Sequence, residues 1–583
     1  MIADVKIVNE SLAMMAKNIS QDPPVGLVLI EGHASGDILV CKEGLSFWGG
    51  VCPDTGRIID IHHPNYEQSV AGKILMMPSS RGSCSGSGVL LALALSGFAP
   101  AAIIFSESED ILSLGGFVLE RIFNKILPIL RLDKDAFALL AKAKTAKIED
   151  CEITSDTFSG KVEKISVDKV ALNKKDRSLL QGEGGVVAKL AMEILSIMAA
   201  ANGTNALVDI TRGHIDGCIL AHSANLIFAE KMAELGAQVT VPTTINAISI
   251  DQENWLAQGV PTDFGNKAGR LADAYVHMGA RPVFTCAPYL LDQPPEFGEV
   301  IGWSESNAVI FANSVLGART AKHPDYLDLL IAMTGRAPAS GVYSDVGRRP
   351  QTILSVSLSA IEPDDLFWPV IGWLAGKLSP NAIPLITGLD ALSPNQDDLK
   401  ALCAAFGTTS GAPMLHISGH TPEADMPART DAAKYRIDLP ALQQAWRELN
   451  KGDVDADLVA IGSPHASFAE VKKIDDLMQG RRCHPDITLI ITVGRDTLNR
   501  LKQQGIDERL TDCGVQLIAD LCWCSITEPV FPVQARSIMT NSAKYAHYAH
   551  ALSGRYARLS NLQDCIETAI TGRTQTAMPA WLQ

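Results

Sequence analysis

The chain has 583 residues, which is too long for one ordinary hydrophobic core and predicts two to four domains. Hydrophobic residues make up 47% of the chain and charged residues 20%, a balance typical of a well-buried globular protein. The net charge of -15 argues against a surface built for nucleic acid or anionic membranes. It does not exclude a small anionic substrate, because a few local Arg and Lys residues can hold one.

The beginning of the chain does not resemble a secretion signal. MIADVKIVNESLAMM carries acidic and polar residues where a signal peptide needs a basic start and an apolar block. Residues 88–105 approach the length of a membrane span, but Ser96, Gly97 and Pro100 interrupt them, which predicts a helix, a turn and a strand. We therefore expect a cytoplasmic protein that contacts no membrane, and a monomer is compatible with the sequence.

Strand and helix patterns divide the chain into three stretches. Residues 1–130 contain the strand-like segments GLVLIEG, GDILVC, GKILMMP and AAIIFS, separated by turn signals. Residues 131–178 are rich in lysine and show little sustained apolar periodicity. From Gly182 onward, strands alternate with helices, which predicts parallel sheets covered on both faces. We expect an α/β fold with a small domain at 1–135, a linker at 136–178 and a large domain at 179–583.

Polar and cysteine residues gather where predicted strands of the large domain end. In parallel α/β folds, chemistry is concentrated at the C-terminal ends of the strands. The segments at such ends are TTIN at 243–246, CAP at 286–288, SPH at 463–465, Cys522 and NS at 541–542. These segments are the first candidates for a site.

A serine-rich loop, SSRGSCSGSG at 79–88, follows a predicted strand and precedes a predicted helix. It lacks the third glycine of a dinucleotide fingerprint and the lysine of a phosphate-binding P-loop. Cys84 occupies the centre of a possible nucleophile elbow, so a thiol nucleophile stays open as an alternative. Exposed helix-end N–H groups and Arg81 favour an anion here, which would help Ser83 to accept a proton. Ser85 and Ser87 fit better as helix caps.

Several segments resemble the aconitase X family. Ser79, Ser80 and Arg81 resemble the serine–serine–arginine of the aconitase-type swivelling domain, in which a serine is the catalytic base. Further segments follow in order over nearly the whole chain, among them QGEGG, TRGHIDG, VPTTINAISID, RPVFTCAPYL, IGWSESNAVIFANSVLGART, MTGRAP, HISGHTPEA, IGSPHAS and TNSAKYAHY. The resemblance implies a small swivelling β/α domain fused to a large, multi-lobed, aconitase-like α/β domain with parallel sheets.

The resemblance also implies an iron–sulfur cluster. Cys286 and Cys522 match the cysteine positions of the family, and Cys403 matches its fused, single-chain form. A 2Fe–2S cluster is preferred, with 3Fe–4S and 4Fe–4S as alternatives, and three thiolates would leave one iron position open for substrate. The weaker ligand candidates are Cys84, Cys513 and Cys524.

For the fused form, the resemblance implies dehydration of a small hydroxy amino acid, cis-3-hydroxy-L-proline, to Δ1-pyrroline-2-carboxylate. Ser83, assisted by Arg81, would take the Cα proton on the ring face opposite the metal. The candidates for binding substrate are Ser79, Ser80, His214, Thr244, Asn246, Glu305, Asn307 and Lys544. Two alternatives remain: dehydration of mevalonate 5-phosphate or another hydroxy acid, and a non-catalytic cluster-bearing sensor.

Overall fold

The computed structural model describes residues 24–60, 63–81, 84–358, 362–453, 455–574 and 577–583. These residues form two compact units. The smaller unit comprises the described residues up to Arg81, Val89–Lys169 and Ala200–Asn202, and the larger comprises 84–88, Val170–Ala199 and Gly203–Gln583. Within the described ranges, we find no helix with the length and apolar character needed to cross a bilayer.

The smaller unit is built on one nine-stranded sheet. Its elements in chain order are β1 (Gly26–Ile30), β2 (His33–Val40), β3 (Ile74–Met77), α1 (Gly86–Ser96, whose first turn clusters with the larger unit), β4 (Ala102–Phe105), α2 (Ile111–Phe123), β5 (Ile129–Leu132), α3 (Lys134–Leu140), β6 (Thr145–Glu149), β7 (Glu152–Ser155), β8 (Ser159–Lys161) and β9 (Glu163–Lys164).

The centre of this sheet is parallel, through β2, β3, β4 and β5. β3 and β4, with the sequences ILMM and AIIF, are buried along their whole length. Continuous apolar strands of this kind are typical of parallel sheets that are covered on both faces. The helix predicted from ILSLGGFVLERIF is confirmed as α2.

The stretch at 136–178, for which the sequence predicts a linker, contains four strands of the same sheet. β6 pairs antiparallel with β2, and β7 and β8 extend that edge. In β6, buried residues alternate with exposed ones, so Ala146 and Ile148 reach the core while charged residues face solvent. An alternation over only five residues, among many lysines, is too short a pattern to distinguish from a connecting segment.

The larger unit is a succession of helices and short strands. Its elements are α4 (Lys174–Leu180), α5 (Val186–Ala201), β10 (Leu207–Asp209), β11 (Gly213–Ile215), α6 (Ser223–Glu234), β12 (Thr243–Ile245), α7 (Thr262–His277), β13 (Gly302–Trp303), α8 (Ser306–Phe311), α9 (Leu327–Thr334), β14 (Arg336–Pro338), β15 (Thr352–Val356), α10 (Phe367–Leu378), β16 (Pro384–Thr387), α11 (Gln396–Thr409), β17 (His416–Ile417), β18 (Ala433–Ile437), α12 (Leu439–Leu449), β19 (Leu458–Ile461), α13 (Phe468–Met478), β20 (Thr488–Val493), α14 (Arg495–Gln503), α15 (Ile506–Asp512), β21 (Val515–Ala519), β22 (Ile538–Thr540), α16 (Ala543–Ser553), β23 (Ala557–Leu559) and α17 (Leu562–Thr571).

These strands form three parallel sheets and one short antiparallel pair. The parallel sheets have the orders β12-β11-β13, β17-β16-β15-β18 and β21-β20-β19-β22-β23, and β10 pairs with β14. The predicted α/β class with parallel sheets is confirmed. Since each parallel sheet has all its strand ends on one edge, residues that are distant in sequence become neighbours there.

Helices α10 and α11 pack very closely, because two glycines of α10 face α11. A Cβ atom at Gly372 would overlap the carbonyl oxygen of Leu402, and one at Gly376 would overlap Thr409. Cys403, one of the predicted metal ligands, lies next to Leu402 on α11. The glycines of α10 therefore determine where this cysteine is placed.

We predict that Gly372→Ala lowers the free energy of unfolding by about 1–3 kcal/mol, because the added methyl group forces the two helices apart. Chemical denaturation measures this change. Gly269→Ala in α7 is the matched control, since a Cβ there meets no atom within 4 Å. The control should raise the free energy of unfolding by up to about 1 kcal/mol. Equal stability of the two variants would contradict the proposed close packing.

Candidate active site

Three parallel strands of the larger unit end side by side and present polar residues. Asp216 follows β11, Asn246 follows β12, and Glu305 lies two residues beyond β13. The side-chain amide of Asn246 donates to Asp216 Oδ1 and, at 3.2 Å, to Glu305 Oε2. Asn246 therefore links the three strand ends into a continuous row, Asp216–Asn246–Glu305, which we call the acid row.

Glu305 connects the acid row to a lysine in the first turn of α16, the helix that follows β22. Its carboxylate accepts from the backbone N–H of Asn307 at 3.4 Å, from the Asn307 side-chain amide at 2.5 Å, and from Lys544 Nζ at 3.3 Å. Burial alone would raise the pKa of Glu305, but the Lys544 charge and the hydrogen bonds from Asn307 outweigh it and hold the pKa at about 2. Glu305 is thus ionised at neutral pH and paired with Lys544.

His214 and Thr244 are paired on β11 and β12, two residues before Asp216 and Asn246. His214 Nδ1 is 2.8 Å from Thr244 Oγ1, and the imidazole packs against Trp303. Burial lowers the pKa of His214 to about 4, so its ring is neutral at pH 7. The structure therefore brings together six of the predicted binding residues: His214, Thr244, Asn246, Glu305, Asn307 and Lys544.

Cys84 lies beside the row, and its thiol donates to Asp216 Oδ2 at 3.2 Å. One donor atom each from Cys84, Asp216 and Asp325 lies within 4.8 Å of the others. Burial, together with the charges of Asp325 and Asp216, raises the pKa of the Cys84 thiol well above its usual range. A thiol held in its protonated form is a poor nucleophile, which argues against the thiol elbow.

Two further buried carboxyl groups, Asp325 and Asp328, accompany the row. Asp328 Oδ2 accepts from the backbone N–H of Asp216 at 2.7 Å. Burial and neighbouring carboxylates raise the pKa of Asp325 to about 6 and that of Asp328 to about 7. Sequence reasoning missed Asp216 and both of these residues. For Asp216 a signal existed, because it directly follows the strand within TRGHIDG.

Two of the three predicted metal ligands lie in contact. Cys286 and Cys522 are buried and pack with Cys524 around Ala247. Cys286 lies in an irregular segment in which Phe284 has a φ of 42°, and its sulfur accepts from the backbone N–H of His465 at 3.4 Å. The sequence pattern around it predicts a strand, but Pro282 removes a ladder donor and only Arg281 pairs.

Cys403, the third predicted ligand, is buried in the apolar core of α10 and α11, outside the group formed by Cys286 and Cys522. Burial raises the pKa of Tyr289, and the neighbouring Cys286 and Cys403 raise this pKa further, so Tyr289 lies near both cysteines. Of the weaker candidates, Cys524 packs with the first pair, whereas Cys513 belongs to the core around β20 and β21.

Lys544 is the group that faces both the acid row and the thiols. Burial would lower its pKa, but Glu305, Cys524, Cys522 and Cys286 together raise it well above the usual value. Hydrogen bonding with Cys286, together with burial, raises the pKa of Cys522. A cation beside buried thiols favours their ionised form, which is the form that binds metal.

The serine loop is only partly described. Ser83, the predicted base, lies outside the described residues. In the smaller unit, Arg81 pairs with Glu43 at 3.0 Å and Asp60 at 3.2 Å. Ser80 donates to the buried Glu109, and Ser79 is half-buried. The structure thus shows Arg81 and Ser80 held by acidic partners of their own unit.

Comparison with known proteins gives matches along the whole chain. Sequence models of four domains match: the aconitase X swivel domain at 25–155, and the first, second and third domains at 169–346, 350–447 and 456–571. The chain is 46% identical over 568 residues to a cis-3-hydroxy-L-proline dehydratase of Pseudomonas aeruginosa, covering 95% of this chain and 97% of that protein. It is 43% identical over 576 residues to one of Hypocrea jecorina, covering 96% and 97%.

A solved structure agrees with the fold of the larger part. The holo-form of Thermococcus kodakaraensis aconitase X superposes with a TM-score of 0.61 at 30% sequence identity. The match covers 69% of this chain and 100% of that one.

The raised pKa of Asp328 predicts a pH-dependent stability. An ordinary aspartate ionises near pH 4 in the unfolded chain, whereas Asp328 ionises at about 7 in the folded one. The stability that the protonated Asp328 contributes is therefore fully present at pH values below the unfolded pKa, and it is lost as the pH rises through the folded pKa. Asp328→Asn cannot ionise, so its stability relative to wild type should improve by about 2–3 kcal/mol between pH 5 and pH 8.

Chemical denaturation at the two pH values measures this difference. Asp476→Asn makes the same chemical change at an exposed position and is the control. A stability difference between Asp328→Asn and wild type that does not vary with pH would show that Asp328 is not held in this environment.

Proposed function

The chain belongs to the aconitase X family and is a dehydratase, and we propose that it removes water from cis-3-hydroxy-L-proline to give Δ1-pyrroline-2-carboxylate. The two relatives that bear this activity in their names match nearly the full chain, with the small and large parts in one polypeptide. This agreement supports the reaction and the fused domain order together.

The charge of the site is the observation that favours this substrate. The described residues around the acid row include four carboxyl groups and two lysines, namely Asp216, Glu305, Asp325, Asp328, Lys322 and Lys544. A cyclic amino acid carries a cationic nitrogen, which suits carboxylates, and one carboxylate, which suits a single lysine. A phosphorylated hydroxy acid adds a doubly charged group and would need more cations. Burial raises the pKa of Asp216, Asp325 and Asp328, so these groups hold protons more readily than ordinary carboxyl groups, whereas Glu305 is ionised. Two lysines beside an ionised carboxylate are too few cations for a phosphorylated hydroxy acid, which favours the amino acid over mevalonate 5-phosphate.

The thiols fit the proposed iron–sulfur group by their chemistry. Cys286 and Cys522 are soft ligands in contact, a backbone N–H points at the Cys286 sulfur, and Lys544 supplies a compensating charge. We propose Cys286, Cys522 and Cys403 as ligands of a 2Fe–2S cluster. When bound, such a group supplies a Lewis acid for the leaving hydroxyl.

The chain's own residues divide the remaining tasks. Lys544 is proposed to bind the substrate carboxylate, and Glu305 and Asp216, oriented by Asn246, to hold the ring nitrogen. Ser83 is proposed as the base at the Cα proton, with Arg81 stabilising its ionised form. The neighbouring Cys84 hydrogen-bonds Asp216, so the chain directly after Ser83 lies beside the acid row. We further propose a cytoplasmic location, which remains a prediction from sequence.

We predict that anaerobically purified protein forms Δ1-pyrroline-2-carboxylate from cis-3-hydroxy-L-proline and does not act on mevalonate 5-phosphate. Product formation is followed by proton NMR, which detects loss of the Cα proton. If the protein turned over mevalonate 5-phosphate with a kcat/KM comparable to that for cis-3-hydroxy-L-proline, the proposed substrate would be wrong.

Ser83→Ala should lower kcat by about 10²- to 10⁴-fold, because the reaction loses its general base, while the iron content stays that of wild type. Ser96→Ala, at the exposed end of α1, makes the same change away from the loop and should leave kcat unaltered. If Ser83→Ala retains wild-type turnover, the base is another group.

A further inference from the structure

His465 contacts each of the three segments that carry a proposed thiol ligand. It lies in the loop between β19 and α13 and is fully buried. The proposed reaction gives it no task, and an isolated buried histidine is most simply a hydrogen-bonded core residue. The hydrogen-bond partners of His465 indicate a role in positioning the cysteines, as well as in packing.

The first contacts are with the Cys286 segment. His465 Nδ1 lies 3.1 Å from the hydroxyl of Thr285, the residue directly before Cys286. The backbone N–H of His465 donates to the Cys286 sulfur itself at 3.4 Å. The side chain of His465 therefore fixes the residue before Cys286, and its backbone N–H donates a hydrogen bond to the Cys286 sulfur.

The second contact is with the Cys522 segment. His465 Nε2 lies 2.6 Å from the carbonyl oxygen of Leu521, the residue directly before Cys522. A carbonyl oxygen can only accept, so Nε2 carries the proton and Nδ1 accepts from the Thr285 hydroxyl. The imidazole thus bridges the two segments with one donor and one acceptor.

The third contact is with α11. The carbonyl oxygen of His465 accepts from Lys400 Nζ at 3.3 Å, and Lys400 lies one helical turn before Cys403. Lys400 is only 3% exposed and pairs with Glu470 and, at 3.0 Å, with Asp397. Because a buried ammonium is costly to leave unpaired, this contact fixes α11 relative to the loop.

Another buried histidine of the unit shows the contrast. His416 is equally buried, and its Nε2 lies 2.8 Å from the carbonyl oxygen of Arg348. Neither His416 nor Arg348 adjoins a cysteine in sequence. The link to three cysteine-bearing segments therefore distinguishes His465 from a histidine that serves packing alone.

We propose that His465 is a positioning residue that sets the mutual placement of Cys286, Cys403 and Cys522 before any cluster binds. The identity of the bound group rests on the proposed function, but the arrangement of the thiols does not require iron. Residues that support metal ligands from behind typically change metal affinity by about 10- to 100-fold when they are replaced.

The test uses full-length protein freed of iron under reducing conditions, and arsenite as the probe, because trivalent arsenic binds several thiols at once. Native mass spectrometry counts bound arsenic, and alkylation followed by peptide mapping identifies the protected cysteines. Wild type should bind one arsenic atom and protect Cys286 and Cys522, the two thiols that lie in contact. His465→Ala should raise the half-saturating arsenite concentration by about 10- to 100-fold.

Two conservative variants separate the two arms of the bridge. The side-chain oxygen of His465→Asn can replace Nδ1 as the acceptor for Thr285, and the side-chain nitrogen of His465→Gln can replace Nε2 as the donor to Leu521. Both should bind arsenite more tightly than His465→Ala, and they keep the test valid if the alanine variant does not fold. His416→Asn is the matched control and should bind arsenite like wild type.

The possible outcomes separate this inference from the proposed function. If wild type binds arsenite as described but takes up no iron and sulfide, the cluster proposal fails and the positioning role stands. If folded His465 variants bind arsenite as wild type does, His465 has no positioning role. Failure of arsenite to protect Cys286 and Cys522 in wild type would likewise overturn the inference.

Discussion

The ion pair between Glu305 and Lys544 joins the two chemical parts of the larger unit. Glu305 lies just beyond the end of β13 in the β12-β11-β13 sheet, and Lys544 lies in the first turn of α16, the helix that follows β22 of another sheet. Lys544 also faces the thiols of Cys286, Cys522 and Cys524. Removing either charge would leave the other buried and unpaired, which typically costs about 3–5 kcal/mol. The ion pair therefore links the acid row to the thiols, and Asn307 supports this link because its side-chain amide donates both to Glu305 and, at 3.0 Å, to the backbone carbonyl oxygen of Cys286.

Burial gives the acidic residues different protonation states, and this is useful for a dehydratase. Glu305 is ionised because Lys544 and Asn307 stabilise its charge, whereas Asp328 binds its proton up to about pH 7. Groups of the same type that ionise at different pH can accept and donate protons in one site. The ionised carboxylate of Glu305 is suited to the cationic nitrogen of an amino acid.

Because strand ends and motifs are local, the sequence predicted several of the residues that the structure brings together in the candidate site. Asn246, Glu305, Asn307 and Lys544 were recognisable from their segments, and the structure brings them together. The partners that come from distant segments were not predictable. Nothing in the residues around His465 indicates that its ring would bridge Thr285 and Leu521.

The smaller unit shows the same limit for the fold. β3, β4 and α2 have patterns strong enough to be predicted, since each is a long or continuous apolar run. Strands β6 to β9 are short and lie in a lysine-rich stretch. They are strands because β6 pairs with β2, β9 pairs with β1, and β7 and β8 extend the sheet from β6. Pairing with a distant partner outweighs local propensity in such segments.

The most direct test of the account is Mössbauer spectroscopy of the ⁵⁷Fe-enriched protein, recorded with and without cis-3-hydroxy-L-proline. The account predicts that the protein contains iron and that adding substrate changes the quadrupole splitting of one iron site. Such a change would place the substrate at an open coordination position beside the thiols. A protein without iron, or an iron spectrum that substrate leaves unchanged during turnover, would contradict it.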